Sequence, residues 1–326
     1  MAISKTKYQA TDEEIRALFA RHGITGITQI APLGDGEFNA AFRVETPDMV
    51  YVLKVAPPES APVLHYEQGM MHSEVYWYEQ IHAHTDLAVP KVIASDFTHR
   101  DLGSDCFIME YLDAQPLYKF SFTDEAYRAV QERKIEMLTE IHRVKGERFG
   151  YPQLGLQDTW YAAIRGMAEA LVQDCEAMGR KTPDGRRFLA LIDRRREILE
   201  KVPCRMVNFD LWDSNVLYAD GKLYWIDPER SFYGDPIADF ITLGKGQKTP
   251  LDEKTEEIAI YNRTASEQIR AGREECIRYA VAVAYLALIE EVERYVRYEP
   301  DNPVYQRNER DARDMYDMAF AVLEAD

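Results

Sequence analysis

The stretch NFDLWDSN (208–215), followed after a short apolar interval by WIDPERSFYGDP (225–236), decides how this chain is read. Between the two blocks lie VLYA (216–219), the turn-forming DGK (220–222) and LYWID (223–227), a pattern of two short strands around a tight turn. Asp210, Asn215 and Asp227 therefore sit on loops flanking one β-hairpin, two carboxylates and an amide oxygen delivered to one place. A few hard oxygen ligands, with room left for water and phosphate oxygens, suit Mg²⁺ better than an all-protein Ca²⁺ cage. Phosphoryl transfer asks for such a metal, for a lysine on the phosphates and for a carboxylate that receives the acceptor's proton.

Upstream, the lysine and a phosphate-approaching turn are both available. ITQIAPL (27–33), AAFRVE (40–45) and VYVLKV (50–55) read as strands, separated by the glycine-containing GDGEFN and the turn-like TPDM. Lys54 closes the third strand in a context close to the V-A-I-K pattern that sets a lysine on nucleotide phosphates, and Glu74 on the following helix can hold it as an ion pair. Gly34 and Gly36 let backbone amides approach phosphate without a Cβ in the way. A helix over 65–84 and strands over 91–97 and 106–112 complete a five-stranded sheet with one internal helix. Thr11 and Glu14 form a capping-box pattern for a short helix ahead of it.

After DAQPL (113–117) the period becomes helical through 123–201, so the chain divides into a nucleotide-binding lobe, 1–112, and a helical lobe, 113–326, that contains the hairpin. Helical patterns resume at 251–271, 273–297 and 305–324. With 326 residues, 46% of them apolar, two lobes can each bury a core. The fold class is α+β.

A formal net charge of −17 repels nucleic acid and anionic lipid, and either attracts a cationic small molecule or serves solubility alone, so neither nucleic acid nor membrane is expected as a partner. No apolar run long enough to span a bilayer and no signal-like start is found, which points to a cytoplasmic protein. The four cysteines form no C-x-x-C pair, which argues against a zinc or disulfide framework. GKGQKT (244–249) resembles part of a phosphate loop, but Gln247 stands where glycine is required. His72, His82 and His84 lack the spacing of a zinc site. Trp160, Tyr161, Tyr279, Tyr285 and Tyr295 are expected to pack between helices.

VNFDLWDSNVLY, KLYWIDPERSFYGDPIADF, LGDGEFNAAFRV and FIMEYLDAQPL together resemble the aminoglycoside phosphotransferase and choline kinase superfamily, whose general form is H-x-D-x-x-x-x-N, then I-D-x-E, then G-D-P-x-x-D. The resemblance implies a protein-kinase-like two-lobe fold and ATP or GTP with Mg²⁺ as cofactors. It implies Asp210 as the catalytic base, Asn215 and Asp227 as metal ligands, Lys54 on the phosphates and Glu74 orienting it. Glu110 to Leu112 would form the hinge that hydrogen-bonds the base, with Met109 packing beside it, while Asp235 and Asp239 would cap and brace. Asn208 replaces the usual histidine, and it can still hydrogen-bond the loop backbone but cannot change charge near neutral pH.

The acceptor implied is a hydroxyl of a small molecule, above all an aminoglycoside-type or other antibiotic. The alternative is a metabolic kinase for choline, a sugar, an aminosugar or methylthioribose. A further alternative is an inactive nucleotide-binding scaffold, which would have no need of both metal ligands and the base. Asp174, Glu176, Glu290, Glu291 and Glu293 are the acids available for a cationic substrate.

Overall fold

The structure, a computed structural model, describes residues 7–34, 38–244 and 246–325. The first helix, α1 (Asp12–Arg21), starts where Thr11 and Glu14 cap each other reciprocally. Strands β1 (Gln29–Pro32), β2 (Ala40–Glu45), β3 (Val50–Val55), β4 (Val92–Asp96) and β5 (Cys106–Glu110) form one antiparallel sheet in the order β1-β2-β3-β5-β4. Alternation along β3 assigns its two faces: Leu53 and Val55 pack with Ile15, Leu18 and Phe19 of α1, while Val52 joins the larger core on the other side. Lys54 shares that second face with Val52, which is why a lysine in a buried strand ends up in a cleft.

Helix α2 (Met70–His84) lies on the Val52 face, with Trp77, Tyr78 and Ile81 fully buried. It is shorter than the 65–84 expectation. Residues 65–67 make only a 3₁₀ turn, and Gly69 then adopts a left-handed φ of 67° before α2 begins.

In the second lobe the helical tract 123–201 divides into α3 (Asp124–Ile141), α4 (Trp160–Ala177), α5 (Pro183–Arg194) and α6 (Arg196–Leu199). Its unexpected break, 142–159, holds Pro152 and two glycines at positive φ, Gly150 and Gly155, and bridges Tyr233 through Gly150. The hairpin proved to be part of a larger arrangement: β8 (Val216–Ala219) and β9 (Lys222–Trp225) are joined by the short β6 (Gln115–Pro116). Beside them β7 (Arg205–Val207) pairs with β10 (Phe232–Gly234), a strand the sequence pattern did not reveal.

The helix expected over 251–271 is reduced to α7 (Thr255–Tyr261). Asn262 ends it by bonding Ile269 twice, Nδ2 to the carbonyl at 2.7 Å and N–H to Oδ1 at 2.9 Å, which satisfies the backbone in a loop instead. The last two helices, α8 (Arg273–Arg297) and α9 (Pro303–Leu323), fall where the periodicity put them. Trp160, Tyr279 and Tyr285 are buried as expected.

Candidate active site

A cleft of about 660 Å³ runs between the sheet and the hairpin region. Gly34, Lys54, Glu110, Leu112, Asp210, Asn215 and Asp227 all line it. Gly36 lies outside the described residues. Glu74 sits behind the cleft wall, fully buried.

The Lys54 ammonium bridges the cleft. Its Nζ donates to both Glu74 carboxylate oxygens, at 2.8 and 2.7 Å, and to Asp227 Oδ1 at 2.9 Å. Burial works to lower the Lys54 pKa, but Asp227, Glu74 and Glu229 outweigh it and hold the ammonium well above its usual range. Asp227 itself stands at φ 58°, a left-handed position for a residue with a Cβ, and its N–H donates to the Tyr78 hydroxyl at 3.1 Å.

The Asp210 loop is braced from below. Phe209 also has a left-handed φ, 63°, and it is held there because Asp239 accepts the Phe209 N–H at 2.6 Å and the Asn208 N–H at 2.9 Å. Asn208 Oδ1 accepts the Asp210 N–H at 3.0 Å, so the residue in the place of the expected histidine still ties the loop. A histidine is present on the other side of the brace: buried His142, which caps the C-terminus of α3, contacts Asp239 Oδ2 at 2.9 Å through Nε2, and the Tyr261 hydroxyl at 2.7 Å through Nδ1. Asp235 accepts the Ile237 N–H as a cap and pairs with Arg278 at 2.6 Å.

Asn215 Nδ2 donates to the Asp210 carbonyl at 3.0 Å and to its Oδ2 at 2.9 Å, which fixes the amide so that its oxygen is the atom left for a ligand. Burial pushes the Asp210 carboxyl up to about 7; Arg230 opposes this, and Glu229, Asp227 and Glu293 add to it. Glu229 is likewise pushed up, by burial first and then by Asp227, against Lys54. Two carboxyls pushed up by burial and by the neighbouring Asp227 carboxylate, beside a fixed amide oxygen, fit a hard divalent cation. Among the described residues no cluster of three or more His, Cys, Asp or Glu side chains is arranged to hold a metal alone. A metal here would take most of its ligands from phosphate and water, as Mg²⁺ does.

At the other end of the cleft, the backbone of 110–112 is partly engaged within the protein. The Glu110 and Tyr111 N–H groups are engaged by the carbonyls of Lys91 (2.9 Å) and Val50 (3.3 Å). Met109 is buried beside them and lines the cleft.

The phosphotransferase enzyme family model matches residues 29–276, most of the chain and all of this constellation. The chain belongs to the phosphotransferase enzyme family. Membership carries the reaction class with it, phosphoryl transfer to a hydroxyl of a small molecule. Solved structures with the same fold include one assigned as an aminoglycoside phosphotransferase from Ralstonia eutropha JMP134, with a TM-score of 0.68 at 18% identity over 97% of this chain and 99% of the other. A structure assigned as a fructosamine-3-kinase from Thermobifida fusca YX-ER1 gives 0.64 at 20% identity over 97% and 100%. The aminoglycoside phosphotransferase APH(4)-Ia, as a thermostable mutant in ternary complex with AMP-PNP and hygromycin B, gives 0.59 at 17% identity over 97% and 98%. No curated protein sequence matches the chain significantly. Among the described residues, no helix of this phosphotransferase is long and apolar enough to cross a membrane.

Several cleft residues escaped the motif reading. Glu229 is the acid of the I-D-x-E block, which gives it no role, and nothing in the spacing of Arg230 beside it separates that residue from a solvated turn. Asn39 Nδ2 donates to Glu229 Oε2 at 2.8 Å, joining the segment just ahead of β2 to the loop that follows β9. Arg297, at the end of α8, carries no local signal at all. Of the acids considered for a substrate, Asp174 accepts the His65 N–H at 2.7 Å, Glu176 pairs with Arg186, and Glu291 accepts from Thr182 and Tyr316. Glu293 turns toward the cleft arginines, and Glu290 keeps one buried carboxylate oxygen without a partner.

Proposed function

We propose that the chain is a Mg²⁺-dependent kinase that transfers the γ-phosphate of ATP or GTP to a hydroxyl of an amine-bearing polyol, above all an aminoglycoside-type antibiotic. The observation that carries the reading is the Lys54 ammonium, shared between Glu74 and Asp227 across a cleft that also holds Asp210 and Asn215. Lys54 takes nucleotide phosphate oxygens, Glu74 keeps its ammonium aimed, and Gly34, which lines the cleft, lets its backbone approach the phosphates without a Cβ in the way. Of the hinge positions, Leu112 has the N–H left for the base, since those of Glu110 and Tyr111 are engaged.

Asp227 and the Asn215 amide oxygen would hold the metal, which when bound neutralises phosphate charge. Asp210 orients the acceptor hydroxyl and receives its proton as the acceptor oxygen bonds to the γ-phosphorus. The bond from that phosphorus to the bridging oxygen then breaks, and the nucleoside diphosphate leaves. A carboxyl held near 7 is suited to accept that proton at neutral pH.

A neighbour that binds hygromycin B supports the antibiotic reading, and neighbours assigned as fructosamine kinases support a metabolic one, a kinase for a glycated amine or aminosugar. Both acceptors combine several hydroxyls with an amine. A panel of aminoglycosides, fructosamines, choline and methylthioribose, incubated with ATP and Mg²⁺ and followed by mass spectrometry, separates them. A gain of one phosphoryl mass on an aminoglycoside is expected; phosphorylation confined to the fructosamines would replace the antibiotic reading with the metabolic one.

A further inference from the structure

Two arginines stand at the phosphate end of the cleft, and no step above uses them. Arg230 follows Glu229 on the metal loop, while Arg297 reaches the same place from the C-terminus of α8; both line the cleft. Their counter-ions are set behind them. Glu293 Oε1 receives Arg230 at 2.8 Å and Arg297 at 3.4 Å, and Glu67 pairs with Arg297. The carboxylates are the more deeply buried partners, 8% and 1% exposed at the side chain against 17% for Arg230 and 15% for Arg297. The acids thus form a backing and the guanidinium groups a front.

Each guanidinium also lies against an aromatic ring. Arg230 lies over the Tyr66 ring at 5.8 Å, and Arg297 lies over the Phe38 ring at 5.5 Å. Phe38 directly precedes Asn39, which is fastened to Glu229 two residues from Asp227, so Arg297 belongs to the Lys54–Asp227 end of the cleft, not to the Glu110 end. Arg230 Nε is 4.0 Å from Asp210 Oδ2, within reach of whatever that carboxylate orients. Burial opposes the charge on Arg230, yet Glu293, Tyr66 and Asp210 hold its pKa well above the ordinary value.

A guanidinium has five N–H donors, and a carboxylate behind it occupies only some of them. Two such groups converging on one end of a cleft, pinned by buried acids and aromatic faces, form a preorganised anion site. We propose that Arg230 and Arg297 form an anion subsite that binds the oxygens of a tetrahedral phosphoryl group. This rests on the kinase reading above, because that reading brings such a group to Asp210. The group comes either from the γ-phosphate of the nucleotide or from a phosphate already carried by the acceptor, and the chemistry of recognition is the same.

Calorimetric titration of the full chain tests it, with Mg²⁺ present and ADP, AMP-PNP and inorganic phosphate as probes. Wild type, Arg230→Gln, Arg297→Gln and the charge-retaining Arg230→Lys and Arg297→Lys are compared, each checked by its melting curve. If the γ-phosphate is the ligand, both Gln variants lose at least about tenfold in AMP-PNP affinity while ADP affinity is unchanged, and the Lys variants recover part of the loss. If the acceptor supplies the phosphate, AMP-PNP affinity is unchanged, but inorganic phosphate binds the AMP-PNP complex of the wild type and not that of the Gln variants.

Gln variants that match the wild type with all three probes overturn the proposal. Should a Gln variant fail to fold, the Lys variants decide: a point charge in place of the fork is expected to weaken the affected probe several-fold, and an unchanged affinity overturns the subsite. Absence of any ADP or AMP-PNP binding by wild type would instead sink the kinase reading itself, so the two failures are distinguishable.

Discussion

Asp210 shows how far a single residue departs from what its type suggests. Its carboxyl is held near 7, against an ordinary value of 3.8, because burial penalises the charge and Glu229, Asp227 and Glu293 repel it while Arg230 only partly compensates. A carboxyl whose pKa is higher folded than unfolded contributes its stability at low pH and loses it as the pH climbs from about 4 to about 7. Asp210→Asn removes that loss. In the ligand-free protein it is expected to stabilise by about 1–3 kcal/mol at pH 8 and by almost nothing at about pH 3, read from urea curves at the two values. The same variant should lower turnover by several orders of magnitude with ADP affinity retained; near-normal turnover would remove Asp210 from the role of base.

In wild type, kcat/KM should rise as the pH passes through about 7 and the carboxylate forms. Lys54 gives the complementary case. Lys54→Met leaves Glu74 and Asp227 without their shared cation and should cost about 3 kcal/mol, because one partner of a buried pair is removed. Adding Glu74→Gln should restore most of that stability and none of the turnover. A double variant as unstable as the single one would mean that the ion pair is not the source of the loss.

At the scale of elements, the legible parts were those whose period and chemistry agree. β2, β3, β8, α8 and α9 fell within two residues of their expected bounds because alternation or helical spacing is unbroken along each. β10 was illegible because Phe232, Tyr233 and Gly234 are all buried, which leaves no polar alternation to mark a strand. The C-terminal part of 251–271 looked helical because apolar spacing continues past Tyr261, whereas the Asn262 side chain offers the backbone a competing set of bonds. Asp210, Asn215, Asp227, Lys54 and Glu74 were visible as spaced residue types. Arg297 was not, because its role depends on where a helix of 25 residues happens to end.

β10 also makes a test of packing. A Cβ on Gly234 would come within 2.5 Å of the Phe232 ring and 2.9 Å of Trp160, rings that stack on each other at 5.5 Å in the core. Neither ring can yield without opening the packing, so Gly234→Ala should destabilise by about 2 kcal/mol in chemical denaturation. A loss below about 0.5 kcal/mol, the range of an uncrowded surface site, would show that the strand tolerates the displacement.

For the whole molecule, the division at residue 113 that the sequence suggests differs from the division of the apolar core. One core joins α1 to the outer face of the sheet; the other takes α2 and the inner face together with the entire second lobe. α2 is fastened across the boundary by polar contacts as well. Trp77 Nε1 donates to the Ser231 carbonyl at 2.9 Å, the Tyr76 and Tyr233 hydroxyls meet at 2.9 Å, and Tyr78 receives the Asp227 N–H. The turn ahead of α2 adds Glu67 on Arg297 and Tyr66 on Glu293. Glu74 is therefore held by the second lobe as firmly as by the first, which keeps the Lys54 pair formed without any activating step. The first lobe thus lacks a core of its own on one face. A fragment of residues 1–112 exposes Trp77, Tyr78 and Ile81, all fully buried in the complete chain, and loses the apolar burial that a domain of its size needs. It is expected to show no cooperative melting transition and to bind an apolar dye, whereas the full chain melts in a single transition for both lobes. A fragment that melted cooperatively, or a full chain with two separated transitions, would place the lobe boundary where the sequence drew it, leaving α2 to the first lobe alone.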